Sequence, residues 1–240
     1  MNNITIKKIH ANIFLIREIY FKEHANIFLF RNKDRGLLFD CGLGLEKLKP
    51  ILNKLGIKKF TVCATHIHFD HSGGMKHFAP NEIILTTKQY HHIRQKKLWA
   101  LQYLTPKDFD NQLISHKKAV EFCKHFDQTI ARPKIIHGNR LKFGDFKFKL
   151  IPAPGHADES ILFWEPNHQI LISGDALYSG QPYTDLVNSN LKQFLKTLHQ
   201  IDSTDFKLLL PGHNQILNKT TASAVINKWE RKINDWLTVE

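Results

Sequence analysis

Thr65-His66-Ile67-His68-Phe69-Asp70-His71, the run THIHFDH, puts three imidazoles and a carboxylate within six residues. It follows an apolar segment, Phe60 to Ala64, which predicts a buried strand leading straight into it. Imidazole nitrogen and carboxylate oxygen are the ligand set of zinc and related divalent ions. In an ordinary core four such groups would repel one another or compete for hydrogen bonds. With 15 histidines in the chain some cluster by chance. The alternation His-x-His, an acid two residues on and a further histidine beside it point instead to a metal-binding loop at a strand end.

A chain of 240 residues, 42% hydrophobic and 23% charged, has the make-up of an ordinary soluble protein of one large or two small domains. No linker rich in proline, glycine or serine divides it, so a single domain over residues 1–240 is expected. The formal net charge of +12 suits anionic partners, nucleic acid among them. The lysines and arginines are spread along the chain, however. Even the densest runs, Arg94-Gln95-Lys96-Lys97 and Lys147-Phe148-Lys149, are short, so a solvated basic surface is expected. The three cysteines (Cys41, Cys63, Cys123) are odd in number and lack C-x-x-C spacing, which favours free thiols in a reducing compartment. No signal-peptide pattern or membrane-length apolar run is present, and a cytoplasmic protein without a membrane partner is expected.

The segment HANIFL occurs at 10–15 and again at 24–29, predicting two neighbouring strands with like packing demands, in which His10 and His24 are structural. Further strands are predicted at Gly36–Phe39, Thr61–Ala64 and Ile83–Thr86, with helices near Glu46–Leu55 and starting at Met75-Lys76-His77-Phe78. From Lys88 to about Phe126 the spacing turns helical, one stripe running Tyr90, Ile93, Leu98, Leu101 and Leu104 until Pro106 breaks it, and a second running Leu113, Val120, Phe122 and Phe126. The histidines of this stretch, His91, His92, His116 and His125, read as surface residues. A β-rich half follows, with strands at Lys134–His137, Arg140–Phe143, Phe146–Ile151, Ile161–Trp164, Gln169–Ile172 and Lys207–Leu210. Helices are predicted around Leu191–Ile201 and at the C-terminus.

Four of these strands end in a residue able to bind a metal: His66, His156 in Pro154-Gly155-His156, Asp175 after Gly174, and His213 in Pro211-Gly212-His213. Together with Asp40 in Asp40-Cys41-Gly42, this order resembles the metallo-β-lactamase-fold metallohydrolase superfamily, over nearly the whole chain. The resemblance implies an α+β fold, a four-layer αββα sandwich, with residues 88–126 as an insertion at the rim. It implies a dinuclear site with His66, His68 and His156 on one metal, Asp70, His71 and His213 on the other, and Asp175 bridging. Asp40 is then a support near the site. The implied cofactors are two zinc ions, with iron or manganese as alternatives. The implied reaction is hydrolysis by a metal-bridging hydroxide, with Asp70 orienting the nucleophile or taking its proton.

Within the superfamily the bridging Asp175 resembles the glyoxalase II and lactonase branches rather than true β-lactamases. Only 27 residues follow His213, room for a single helix where glyoxalase II carries a helical glutathione-binding region. Tyr178, three residues past Asp175, resembles a lactonase tyrosine facing the substrate carbonyl and is a candidate catalytic donor to an oxyanion. The residues after His156 (Ala-Asp-Glu-Ser) and Asn214 after His213 depart from the common pattern and bear on substrate. A small ester, lactone or thioester, anionic ones included, is the expected substrate class. A phosphodiesterase or nuclease acting on nucleic acid or nucleotides is the first alternative, and a non-hydrolytic iron-binding redox member the second.

Overall fold

The structure, a computed structural model, describes residues 3–95 and 99–238. The chain divides into two compact units, Met1–His137 and Gly138–Glu240.

The first unit opens with β1 (Ile4–His10), β2 (Ile13–Glu18), β3 (Asn26–Asn32) and β4 (Arg35–Phe39), an antiparallel meander. The repeated HANIFL segment lies on two neighbours, with Leu15 opposite Phe28 and Ile16 opposite Ile27. After β4 the chain turns through Gly42 and Gly44, both at positive φ, into helix α1 (Leu48–Lys54), and returns as β5 (Lys59–Cys63), parallel to β4. Because Phe39 is in register with Cys63, Asp40 and the THIHFDH run leave the same end of the sheet. A short helix α2 (Phe69–Ser72) begins inside the run itself. The sheet is completed by β6 (Ile83–Leu85), helices α3 (Thr87–Arg94) and α4 (His116–Lys124), and β7 (Lys134–Ile135), giving the order β1-β2-β3-β4-β5-β6-β7. Ile16, Ile27, Leu29, Leu38, Leu52, Val62 and Met75 form its main core.

A second cluster in this unit ties the metal-type loop to the segment that follows it. Phe69 packs edge-on against Phe21 at 5.8 Å between ring centroids, and Phe21 packs likewise on Phe109 at 5.2 Å. Leu104, Ile114 and Ala119 close the cluster. Burying a side chain such as Phe69 is worth about 1.5–3 kcal/mol, so residues 101–126 help hold the loop in place.

The second unit carries β8 (Arg140–Phe143), β9 (Phe146–Pro152), β10 (Ile161–Glu165), β11 (Ile170–Gly174), helix α5 (Leu191–Ser203), β12 (Leu208–Pro211), β13 (Leu217–Asn218) and helix α6 (Lys219–Thr238). The sheet order is β13-β12-β11-β10-β9-β8. Its neighbours are antiparallel except β11 and β12, which α5 joins as a crossover. Phe194, Leu198 and Ile201 of α5 and Ile226, Trp229 and Ile233 of α6 cluster with Leu162, Leu171 and Leu209 of the sheet.

Several expectations are corrected. The stretch 75–78 does not start an α-helix; Met75 to His77 close a 3-10 turn, Gly73–His77, and Phe78 follows in extended backbone. A Cβ on Gly74 would stand 2.2 Å from the Cys41 carbonyl oxygen, so this turn is pressed against the loop after β4. The strand at Lys134 joins the first sheet, parallel to β6, instead of the β-rich half. The expected break at Pro106 is present, but the first helix of the stretch already ends at Arg94, and 3-10 turns at Trp99–Tyr103 and Pro106–Asp108 lie between α3 and α4. His92, read as a surface residue, is buried. Leu98, Lys96 and Lys97 lie outside the described residues. Among the described residues no helix is long and apolar enough to cross a membrane.

Candidate metal centre

In the first unit His66, His68 and His71 are all buried and lie together. The His66 ring lies 4.5 Å from that of His68 and 4.2 Å from that of His71, centroid to centroid. Asp70 Oδ2 stands 3.4 Å from His71 Nε2. The compactness follows from the backbone: His68 precedes the first turn of α2, so Asp70 and His71 are wound back beside it.

Asp40 governs the orientation of this group. It is a non-glycine residue at φ 63°, a strained conformation that persists where surrounding contacts enforce it. The contacts are present: Thr65 N–H donates to Asp40 Oδ1 at 2.7 Å, the Thr65 hydroxyl to Oδ2 at 2.9 Å, and His71 Nδ1 lies 2.9 Å from Oδ2. Burial pushes the Asp40 carboxyl above its ordinary range, and His71 beside it pulls it back. With Nδ1 committed to Asp40, His71 has Nε2 left as the atom that could hold a metal, an arrangement in which a supporting carboxylate would fix the imidazole. Gln128 Nε2 donates to the Ile67 carbonyl at 2.7 Å and also bonds the Ser72 hydroxyl. Gln89 Nε2 donates to the Ala64 carbonyl at 3.0 Å. Burial pushes the neighbouring thiols Cys41 and Cys63 well up, so neither offers a thiolate.

In the second unit the structure brings His156, Asp175 and His213 together. His156 Nδ1 lies 2.8 Å from the Tyr183 carbonyl oxygen, which can only accept, so Nδ1 carries the proton. The Ser189 hydroxyl donates to the His156 carbonyl at 2.7 Å and that of Thr197 to the Pro154 carbonyl at 2.7 Å, pinning the Pro-Gly-His turn. Asp175 Oδ2 then lies 3.5 Å from His156 Nε2 and 3.2 Å from His213 Nε2. In neutral His156 that Nε2 is a lone pair facing a carboxylate, a contact that is repulsive unless a cation, a proton or a metal ion, is shared between them. A divalent ion with nitrogen and oxygen ligands supplies that cation, and the donor set fits it.

Tyr178 packs its ring against His213, 5.4 Å between centroids, and its hydroxyl donates to the Gln181 carbonyl at 2.6 Å. That proton reaches a substrate oxygen only by leaving this bond. Thr65, Gln89, Gln128 and the Tyr183 carbonyl were not singled out from the sequence. Thr65, inside the run and next to His66, is the one that motif reading could have found.

The metallo-beta-lactamase superfamily model matches residues 21–213. An acyl-coenzyme A thioesterase of Gallus gallus, MBLAC2, is 29% identical over 224 residues, covering 86% of this chain and 79% of the relative. The probable metallo-hydrolase YqgX of Bacillus subtilis (strain 168) is 26% identical over 190 residues, covering 77% of this chain and 79% of the relative. Among solved structures, the DIM-1 metallo-beta-lactamase aligns with TM-score 0.68 at 17% identity, covering 94% of this chain and 98% of that one. A metallo-beta-lactamase family protein from Thermus thermophilus aligns with TM-score 0.66 at 17% identity, covering 100% and 82%. These structures establish the α+β fold of the metallo-β-lactamase type expected from the sequence.

Proposed function

Because the chain belongs to the metallo-β-lactamase superfamily and is a metal-dependent hydrolase, we propose that it cleaves a small thioester of the acyl-coenzyme A class, within the wider group of esters and lactones. The observation that carries the metal reading is Asp175 Oδ2 held within 3.5 Å of two imidazole nitrogens, one of them a lone pair. The proposed ligand sets are those implied by the sequence: His66, His68 and His156 for one ion, Asp70, His71 and His213 for the other, Asp175 for both. Zinc is the proposed metal, with iron or manganese as alternatives. The two units are read as halves of one domain, which the family match across residues 21–213 supports. A cytoplasmic setting is proposed on the three unpaired cysteines.

When bound, such ions supply a nucleophile from water at neutral pH and charge to stabilise an oxyanion. The protein's own part is to orient and to move protons. Asp40 holds His71 and the Tyr183 carbonyl holds His156, so each imidazole is set before substrate arrives. Asp70, whose side chain keeps 15% exposure while its neighbours are sealed, is proposed to take the proton of the attacking water. Attack forms the C–O bond, the C–S bond breaks, and the leaving sulfur takes up the proton held by Asp70 and departs as a thiol. Tyr178 is proposed to donate to the developing oxyanion, giving up the Gln181 carbonyl to do so.

The relative of Gallus gallus, aligned over 86% of the chain, supports a thioester. The net charge of +12 favours the second reading, a phosphodiesterase acting on nucleotides or nucleic acid. The test is metal analysis joined to a substrate panel: acyl-coenzyme A thioesters of graded chain length, lactones, a cephalosporin, a bis-nitrophenyl phosphodiester and a tRNA precursor. Turnover of thioesters by metal-loaded protein, lost in His68→Ala, is expected. Turnover of the phosphodiesters alone would overturn the substrate, and a purified protein that retains no metal would overturn the mechanism.

A further inference from the structure

One face of the second unit's sheet carries a concentration of charge that the reaction does not use. Strands β8 and β9 pair so that Arg140 stands opposite Lys149 and Lys142 opposite Lys147, and all four side chains are exposed. Directly opposed residues share a face with Cβ atoms about 5 Å apart, and like charges there are destabilising. Along each strand the next cation on that face is about 7 Å away. None of the four has a carboxylate at ion-pair distance among the described residues. Glu165 is buried, accepts from the Lys147 N–H at 3.0 Å and from His168, and follows Trp164 on β10, where alternation puts it on the other face. Asp205 is engaged by Gln169.

The cations surround a hollow. A cavity of about 520 Å³ is bounded by them and by Trp164, Pro166 and Asn167. Trp164 stands opposite Lys149 on β10, completing the row Arg140–Lys149–Trp164. It is half-buried, with its indole N–H fixed on the Asp205 carbonyl at 3.2 Å. No acidic residue lines the cavity among the described residues. Its volume falls within the range of small-molecule sites, about 300–1,000 Å³. A volume of this size, lined by Trp164, Pro166 and Asn167 beside the cations, suits a small anion with a flat apolar part more than a membrane surface or a long polymer.

We propose that this hollow binds a phosphorylated small molecule of the nucleoside-phosphate class, with the four cations on its phosphates and Trp164 beside its base. The cross-strand repulsion that costs the empty protein stability is relieved by the bound anion, so binding is strengthened by it. The site is independent of the hydrolase reading and stands or falls separately.

The test is calorimetric titration of the metal-loaded protein at low salt with ADP, pyrophosphate and adenosine. In parallel, a single-stranded oligonucleotide and phosphatidylserine vesicles are titrated. ADP is expected to bind, pyrophosphate more weakly, and adenosine not at all. Lys147→Gln/Lys149→Gln should weaken ADP about tenfold or more, while melting at the same temperature or higher because two repulsive pairs are gone. A phosphate held at the histidine–aspartate cluster would be untouched by that double substitution. Absence of ADP binding, or ADP binding unchanged in the double variant, overturns the proposal. A lysine-dependent grip on the oligonucleotide or the vesicles that exceeds that on ADP overturns it too, in favour of a polyanionic partner.

Discussion

Gly155, the residue before His156, offers a sharp test of how the second unit holds its candidate ligands. Its φ is 142°, and a Cβ added there would lie 2.3 Å from Phe194 Cα and 2.5 Å from Phe194 N, backbone atoms in the first turns of α5. Gly155→Ala therefore meets two costs. The backbone conformation is disfavoured for an L-residue by about 1–2 kcal/mol. Displacing a packed helix adds the overpacking cost of about 1–3 kcal/mol. Gly138 is the internal control: its φ is 89°, but nothing lies within 4 Å of an added Cβ, so Gly138→Ala meets only the first cost. At about 2–4 °C per kcal/mol for a chain of this size, Gly155→Ala should melt roughly 10 °C below wild type and Gly138→Ala roughly 4 °C below. The assay is thermal unfolding with chelator present, so that metal binding does not enter the comparison. Gly155 also accepts from the Asn190 N–H at 2.7 Å, so the shift is passed to the loop whose Tyr183 carbonyl orients His156. Gly155→Ala should thus lose metal affinity even well below its melting point, and Gly138→Ala should not. Equal melting losses in the two variants would refute the steric reasoning, and unchanged metal affinity in Gly155→Ala would refute the coupling to His156.

Asp40→Asn keeps the size of the side chain but removes the charge that fixes His71 Nδ1, and metal affinity should fall about 10–100-fold in a chelator competition. Tyr178→Phe should lower kcat about thirtyfold, the usual contribution of an oxyanion donor less the roughly 1 kcal/mol of the Gln181 bond it must break; an unchanged kcat would leave Tyr178 a packing residue. Glu18, buried under the Gly44 and Glu46 N–H groups with Lys76, Tyr20 and Glu46 facing it, is pushed by burial from its ordinary 4.5 to about 7. The folded state thus binds the extra proton, so its contribution is complete below pH 4.5 and fades by about 3 kcal/mol as pH rises through 7. Denaturant titrations of wild type and Glu18→Gln should therefore converge or cross over this range, and parallel pH profiles would contradict the shift. A thiol reagent should label Cys123 in the native protein and all three cysteines only after unfolding, since Cys41 and Cys63 are sealed in the core.

Much of the fold was legible because its strands obey simple patterns: the repeated HANIFL segments pair as neighbours, and Gly144-Asp145 closes a hairpin with Phe143 opposite Phe146. The failures have local physical causes. The 3-10 turn at 73–77 exists because Gly73 and Gly74 lie against the carbonyls of Leu43 and Cys41, a tertiary contact that no helical period announces. The two-residue β7 is defined by its parallel partner β6, and a strand that short has no periodicity to read. The supports of the candidate site were hidden for a related reason. Gln128 reaches the Ile67 carbonyl from 61 residues away, and the Tyr183 carbonyl is a backbone group that any residue would supply.

The candidate ligands were nonetheless readable, and strand ends explain why one motif is dense and the others sparse. A strand end aims one residue, sometimes two, before the chain turns away. β5 escapes this limit because α2 begins at Phe69 and winds Asp70 and His71 back beside His66 and His68, packing four donors into six residues. β9, β11 and β12 have no such helix and yield one donor each: His156, Asp175 and His213. Their proximity depends on sheet order instead. α5 makes β11 and β12 parallel neighbours with Gly174 opposite Pro211, and the Gly212 N–H donates to the Gly174 carbonyl at 2.8 Å. Asp175 and His213 are thereby the next side chains past the same edge, 3.2 Å apart. The crossover helix, visible in the sequence as the stripe Leu191, Phe194, Leu198 and Ile201, is what makes a Gly-Asp and a Pro-Gly-His 37 residues further on into parts of one cluster. Each of those short motifs alone is commonplace, and their chemistry follows from the register of the strands that carry them.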